Sequence, residues 1–457
     1  MSRKLLKFWV LFFLIAWVIL LNARLFNYST KGTILYPWKQ YIWAITLPLF
    51  LFFPFGNSRF DYVIRQKRKF VINIISILLI YASFTYFIQQ FSIIRIIFGI
   101  WRYTSGIGFV LLPILWNKLG WQQKNLILFL VLIIFFSSLG LTIDGNVNVF
   151  SFLGQDNELA KEYGELEVDS EVEIYRASFL FDTPTAIGYT LVFGLICAIS
   201  LCFFPGIGLW VKGIAIVTVG TTITGSFYTG SRQIFFLMPV AYAWSLLEIA
   251  RRMNFLVKAS ICFFIIAGCY LGNIGYKQLL SHTTQIAAER FTSFNINKDE
   301  RVRNNWYQGL QQFEIENFTY WFTGHGISYV TLQWASPGEI SGSHYESSVF
   351  STFSETGYFG LFFMYWVVGA SYLNLRKGDK ILISRVLIAY LPFFVILSFV
   401  APTLTHHTAQ MIIWSIYGIS LVNLYGTSNK INPYHSPIRV EDGYVPRYVR
   451  GGGKIDE

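Results

Sequence analysis

Apolar stretches separated by short polar ones run from residue 5 to about residue 424, and most are close to the ~20 residues that a helix needs to cross a hydrocarbon core. The segments 5–22, 41–55, 70–90, 96–116, 125–143, 186–204, 207–225, 233–249, 257–274, 348–373, 381–400 and 407–424 have this character. They predict an all-α integral membrane protein of about twelve spans, because backbone in lipid must satisfy its own hydrogen bonds. The division that follows is a five-span N-terminal bundle (1–143), an acidic loop (144–185), spans six to nine (186–274), a large cap loop (275–347), the last three spans (348–425) and a polar tail (426–457).

Composition agrees with the pattern: 54% of residues are hydrophobic and 13% are charged. Such a chain is built for lipid rather than for a soluble core. Trp38, Tyr41, Trp116, Trp121 and Tyr276 lie at the ends of apolar stretches, where amphipathic rings favour the membrane interface. Arg3, Lys4 and Lys7 precede the first stretch, but Asn22-Ala23-Arg24-Leu25 offers no small-residue cleavage site, so the stretch is expected to remain as a span.

The formal net charge is +11. In a polytopic chain this follows from cytoplasmic loops collecting Lys and Arg, and no nucleic-acid partner is expected. With the N-terminus inside, Arg59, Arg65, Lys67, Arg68, Lys69, Lys118, Lys124, Arg251, Arg252, Lys258, Arg376, Lys377, Lys380 and Arg385 fall in internal loops. Arg24, Lys31 and Lys39 in the first external loop run against this assignment. It puts both long hydrophilic segments outside and both termini in the cytoplasm. The run of carboxylates between Asp156 and Glu173 reads as a solvated stretch, the segment 275–347 as a folded cap, and the tail as disordered. Cys197, Cys202, Cys262 and Cys269 all lie in apolar stretches and read as small buried hydrophobes.

Arginine recurs on the expected outer side: Arg176 before the sixth span, Arg232 in Thr-Gly-Ser-Arg-Gln, and Arg301 and Arg303 ahead of Trp306. A guanidinium is permanently charged and its fork matches two phosphate oxygens, so converging arginines can hold a diphosphate without a metal. His344, in Gly-Ser-His-Tyr-Glu-Ser-Ser, stands at the entrance to the tenth span and can accept a proton from a sugar hydroxyl near neutral pH. Glu355 follows about three turns along, and a carboxylate there requires a partner in the bundle. Arg102, in the middle of an apolar span, must face the bundle interior or a water-filled cavity. His406 and His407 form the sole adjacent histidine pair, but neighbours on a helix point about 100° apart and make a poor metal site.

Four local patterns resemble the O-antigen ligase and polymerase family of bacterial membrane glycosyltransferases. The first is Arg176-Ala-Ser-Phe-Leu-Phe-Asp-Thr-Pro184 through Gly188, with Phe179 where the family commonly has Gly and Thr185 where it has Asn. The second is Thr229-Gly-Ser-Arg232, and the third is Arg303 with Trp306 followed by Phe322-Thr-Gly324-His-Gly326. The fourth is His344-Tyr-Glu, running on to Glu355-Thr-Gly357-Tyr-Phe-Gly360, with Tyr345 where Asn is usual.

The resemblance covers about residues 176 to 365. It implies a glycosyltransferase-C-like fold with a periplasmic cap, a donor carried on undecaprenyl diphosphate, and no cofactor or metal. Arg176, Arg232 and Arg303 become diphosphate contacts, with Arg301 as the alternate for Arg303. His344 becomes the base that activates the acceptor, and Glu355 a supporting residue. The expectation is a polymerase of lipid-linked repeat units in the bacterial cytoplasmic membrane, because Tyr345 departs from the His-Asn form common in ligases. Its partners would be the lipid-linked donor, a glycan acceptor, membrane lipids, and flippase and chain-length regulator proteins. A ligase acting on lipid A core, and a transporter of lipid-linked sugar, are the competing expectations; Arg102 is the main residue on the transporter's side.

Overall fold

The computed structural model describes residues 2–30, 33–35, 37–89, 93–147, 184–203, 207–228, 232–250, 318–326, 348–377, 382–400 and 406–425. Among these residues the chain is helical with no strand: α1 (Arg3–Leu21), α2 (Ala23–Thr30), α3 (Trp38–Phe52), α4 (Arg59–Gln89), α5 (Ile93–Thr104), a 3-10 turn (Ile107–Val110), α6 (Leu111–Lys118), α7 (Gln123–Val147), α8 (Pro184–Phe203), α9 (Leu209–Tyr228), α10 (Arg232–Ala250), α11 (Phe318–Thr323), α12 (Ser348–Lys377), α13 (Leu382–Val400) and α14 (His407–Tyr425). Every apolar segment predicted within the described residues is helical; the segment 257–274, most of the two hydrophilic segments and the tail lie outside them.

Among the described residues, five stretches are long and apolar enough to cross a membrane: Arg3–Leu21, Ile96–Lys118, Gln123–Asp144, Leu209–Ser226 and Ser348–Lys377. Their surfaces explain why an apolar exterior is stable. On α1, Val10, Phe13, Trp17, Leu20 and Leu21 are buried, while Leu5, Phe8, Leu11, Ile15 and Val18 form an exposed apolar face at helical spacing. A helix with a polar solvent face would place its charges there; α1 places leucine and phenylalanine, as a lipid-facing helix does. The helix starts where the Ser2 hydroxyl accepts from Leu5 N–H, and ends where the Asn22 amide donates to the Val18 carbonyl.

Two helices form the interior. Residues Ile187 to Ser200 of α8 and His407 to Asn423 of α14 are all buried. Around α8 pack α7, α9, α10 and α13; around α14 pack α12, α6 and the 3-10 turn. The α7–α9 contact is held by hydroxyls, those of Ser138 and Thr221 lying 2.8 Å apart and those of Thr142 and Thr224 3.2 Å apart. Side-chain hydroxyls of this kind hold helices together where burial of apolar surface gains nothing over lipid.

Two predicted boundaries differ. The segment 70–90 extends back to Arg59, giving a helix of 31 residues, about 46 Å at 1.5 Å per residue. Its basic first turns fold against the end of α3: Arg68 donates to the Phe53 carbonyl at 2.6 Å and covers the Phe55 ring, and Lys118 pairs with Asp61. Hydropathy alone cannot see a helix that continues beyond the apolar slab. The segment 96–116 is interrupted at Ser105-Gly106, where α5 gives way to the 3-10 turn.

Glycine permits that interruption to sit in the bundle. A Cβ on Gly106 would lie 2.5 Å from the Gln410 backbone, and one on Gly418 would lie 2.5 Å from the Val110 carbonyl oxygen. The turn is thus pressed against α14 at two levels. Gly418→Ala is expected to cost about 1–3 kcal/mol by overpacking, whereas Gly213→Ala, where a Cβ meets nothing within 4 Å, costs nothing. Thermal unfolding of the two detergent-solubilised variants checks the contrast.

Candidate functional site

Glu355 is fully buried in the first half of α12 and is the centre of a polar cluster. Its carboxylate accepts from the Arg102 guanidinium at 3.0 Å and from the Tyr103 hydroxyl at 2.8 Å, one on each oxygen. An isolated charge at this depth costs several kcal/mol, and mutual neutralisation with hydrogen bonds on both oxygens is what makes the pair tolerable. The expectations that Glu355 needs a partner in the bundle and that Arg102 must face its interior meet in one contact.

The backbone around Glu355 is equally committed. Gly357 has φ 59° and ψ −155°, which interrupts α12 and frees the carbonyls ahead of it. Those carbonyls are taken up by the turn after α11: His325 N–H donates to the Ser354 carbonyl at 2.8 Å and Gly326 N–H to the Glu355 carbonyl at 2.9 Å. The Tyr81 hydroxyl of α4 lies between the Glu355 carbonyl, at 3.0 Å, and the Thr323 carbonyl. The glycines allow this closeness from both sides. Gly324, at φ 63°, would direct a Cβ to 2.4 Å from the Glu355 carbonyl carbon, and Gly357 would direct one to 2.5 Å from the Trp321 carbonyl oxygen. The Gly-x-Gly and Glu-x-Gly patterns noted in the sequence are therefore two halves of one docking surface.

Gln410 closes the cluster from α14. Its side-chain amide donates to the Arg102 carbonyl and accepts from Gly106 N–H at 3.1 Å and from the Ser105 hydroxyl at 3.2 Å. The Arg102 carbonyl and Gly106 N–H are backbone groups released where α5 ends, and in an apolar surrounding each needs a substitute partner. Trp43 adds a bond from its indole N–H to the Thr104 hydroxyl at 3.0 Å. The contacts gather the starts of α3, α12 and α14 and the ends of α4 and α5 at one end of the bundle; the Lys118–Asp61 and Arg68–Phe53 contacts mark the other.

Beside this cluster, His406 stands just before α14 rather than on it. Its Nδ1 accepts from the Tyr189 hydroxyl and from Thr408 N–H at 3.3 Å, so His406 caps the helix with Nδ1 unprotonated. The two histidine rings stack with centroids 4.3 Å apart and Trp101 stacks beyond His407 at 6.3 Å. The 100° divergence expected of helical neighbours does not apply, because only His407 is helical.

Of the residues singled out in the sequence, Glu355, Arg102, Gly324, Gly326 and Gly357 are brought together. Arg232 opens α10, with its side chain outside the described residues, and Arg176, Arg301, Arg303 and His344 also lie outside them. Sequence reasoning missed Tyr81, Tyr103 and Gln410. Tyrosines are too common in this chain to single out two, although an amide within the apolar run after His407 was a signal of internal polar satisfaction. No family model matches the sequence, and a comparison with curated proteins finds no match.

His325, half-buried in the docked turn, has its pKa lowered from its ordinary value of 6.5, chiefly by burial, against an opposing hydrogen bond to Ser354. The folded turn therefore favours the neutral imidazole. Its contribution to docking is fully present above pH 6.5 and is lost as the pH falls through the lower value of the folded state. Amide exchange at Gly326 is expected to speed up on acidification below pH 6.5, beyond the intrinsic change, and to lose that excess in His325→Gln. Equal acid sensitivity in the variant would assign the effect elsewhere.

Proposed function

We propose that this protein is a membrane glycosyltransferase that extends a polysaccharide from repeat units carried on undecaprenyl diphosphate, at the outer face of a bacterial cytoplasmic membrane. The observation that carries this reading is the seating of Gly324–Gly326 on Ser354–Gly357. Two separate patterns of the family resemblance, about thirty residues apart in sequence, make one joint contact, which is what a shared structural purpose requires. Membrane insertion is supported by the five apolar helices and their lipid-compatible faces. The twelve-span topology, the periplasmic cap and the cytoplasmic termini belong to the proposal.

In this reaction His344 takes a proton from an acceptor hydroxyl, whose oxygen attacks the anomeric carbon of the donor sugar. The bond from that carbon to the diphosphate breaks, and the departing charge is held by Arg176, Arg232 and Arg303, with Arg301 as the alternate. His344 precedes the first residue of α12, Ser348, by four positions in the sequence. The acceptor is a second lipid-linked repeat unit; transfer to lipid A core is the ligase form of the same chemistry.

A second reading, translocation of lipid-linked sugar, is favoured by one observation: two interrupted helices meet at a buried ion pair. Against it, both interruptions are locked by glycine contacts without room for a single added carbon, which suits a fixed support better than an alternating element.

Purified protein in nanodiscs, given lipid-linked repeat units, is expected to lengthen the glycan and release the lipid diphosphate. In proteoliposomes, transfer of intact lipid across the bilayer without lengthening would establish the transporter instead. His344→Ala is expected to lower turnover by about 10²–10⁴ while donor still binds. Arg232→Lys, which keeps the charge and loses the fork, is expected to weaken donor binding. Near-normal extension by His344→Ala would remove the histidine from the chemistry.

A further inference from the structure

We propose that Arg65 and Arg68 of α4, with Lys118 of α6 beside them, form a binding site for the phosphate headgroup of an anionic membrane lipid. The site lies at the end of the bundle away from the Glu355 cluster and is independent of the functional reading above.

Charge is unbalanced at this end. Residues 53–69 and 118–124 hold seven Lys and Arg and a single carboxylate, Asp61. That carboxylate is already engaged: it pairs with Lys118 and accepts from the Ser58 hydroxyl at 2.9 Å. Among the described residues neither Arg65 nor Arg68 has a carboxylate partner, and the Nε of each is buried without a hydrogen-bond partner. Three positions apart on one helix, the two side chains are neighbours, and like charges so placed repel. The Arg68 pKa is lowered from its ordinary value by burial first and by the Arg65 charge second. A guanidinium stays protonated all the same, so an anion is what relieves both the burial and the repulsion.

The cations are held in place by protein groups. Arg68 donates from Nη1 to the Phe53 carbonyl at 2.6 Å and lies over the Phe55 ring, 4.9 Å from its centroid; Lys118 lies over the same ring at 5.4 Å. Both arginines remain partly exposed, so an anion has access to them. A planar fork grips two phosphate oxygens at once, and two forks beside an ammonium suit a phosphate better than a single carboxylate.

The bilayer is the source of that phosphate. On α4, Phe70, Ile77, Ile80 and Phe84 are exposed and follow one another at seven, three and four residues, which is one helical face. The exposed Tyr62 and Lys69 continue this face toward the start of the helix, and Arg65 flanks it. Acyl chains lying along the apolar part carry their headgroup to the level of Lys69 and Arg65. A soluble anion gains nothing from such a face, whereas Lys and Arg clustered directly beyond an apolar helical stretch attract anionic lipid.

Native mass spectrometry of the full-length, detergent-purified protein tests the site, with phosphatidylglycerol, phosphatidylcholine and inorganic phosphate as probes. The wild type is expected to retain phosphatidylglycerol at least about tenfold more tightly than phosphatidylcholine, and to keep it in a large excess of inorganic phosphate. Arg65→Gln is expected to weaken phosphatidylglycerol about tenfold without lowering the unfolding temperature of the lipid-free protein, because that side chain has no carboxylate to lose. If Arg65→Gln does not fold, Arg65→Lys, which keeps the charge and loses the fork, carries the test with a smaller loss in the same direction. Lys4→Gln combined with Lys7→Gln, which removes two exposed charges from α1, is expected to leave the affinity as it was.

Wild-type affinity in the Arg65 variants would overturn the proposal, and so would an equal loss in the α1 control or equal retention of the two lipids by the wild type. Displacement of phosphatidylglycerol by inorganic phosphate would make the free ion the ligand and overturn the lipid assignment.

Discussion

A guanidinium and a carboxylate removed from water together hold one end of this bundle. Neither Arg102 nor Glu355 is tolerable alone in an apolar surrounding, and their 3.0 Å contact commits α5 and α12 to one relative placement. The consequences spread outward along the backbone. Once Glu355 is fixed, its carbonyl and that of Ser354 are fixed with it, and the kink at Gly357 presents them to the turn 324–326. The turn is held there by these backbone bonds together with the Trp321 and Phe322 rings just before it, which pack on Tyr358.

A bundle in lipid cannot leave a broken helix unsatisfied, and the two interruptions here are closed in different ways. At Gly357 the freed carbonyls are met by backbone N–H groups of a separate segment. At Ser105-Gly106 the freed groups are met by one side chain, Gln410, acting as donor and acceptor at once. Both solutions bring elements distant in sequence to one point, and both depend on glycines at which a methyl group would collide with backbone. The same end of the bundle holds the stacked His406 and His407 rings and the Tyr189 contact. Polar chemistry is concentrated there, whereas α7 and α9 meet only through hydroxyls and apolar groups.

The helices themselves were legible in the sequence because a period of about 20 apolar residues has few alternatives. Their interruptions were not. Gly106 and Gly357 are two glycines among 36, and nothing in hydropathy separates a glycine that breaks a helix from Gly213, which lies within one. Likewise the basic start of α4 carries no apolar signal, since its stability comes from contacts with Phe53 and Phe55. For the site, charge was the readable feature: a lone glutamate at Glu355 demanded a partner, and a lone arginine at Arg102 demanded the bundle interior or a water-filled cavity. That each was the other's partner, 253 residues away, is a matter of tertiary placement that no local pattern encodes. Tyr103 and Tyr81 were invisible for the opposite reason, being two tyrosines among 27.

The whole arrangement stands on the energetic coupling of Arg102 to Glu355, and a double-mutant cycle on unfolding stability measures that coupling directly. Arg102→Met and Glu355→Met each strand one buried charge and are expected to cost about 3–5 kcal/mol, while the double variant, which strands none, costs far less than the sum. Additive costs, with a coupling of less than about 0.5 kcal/mol, would contradict the pairing and with it the account of how the turn is held.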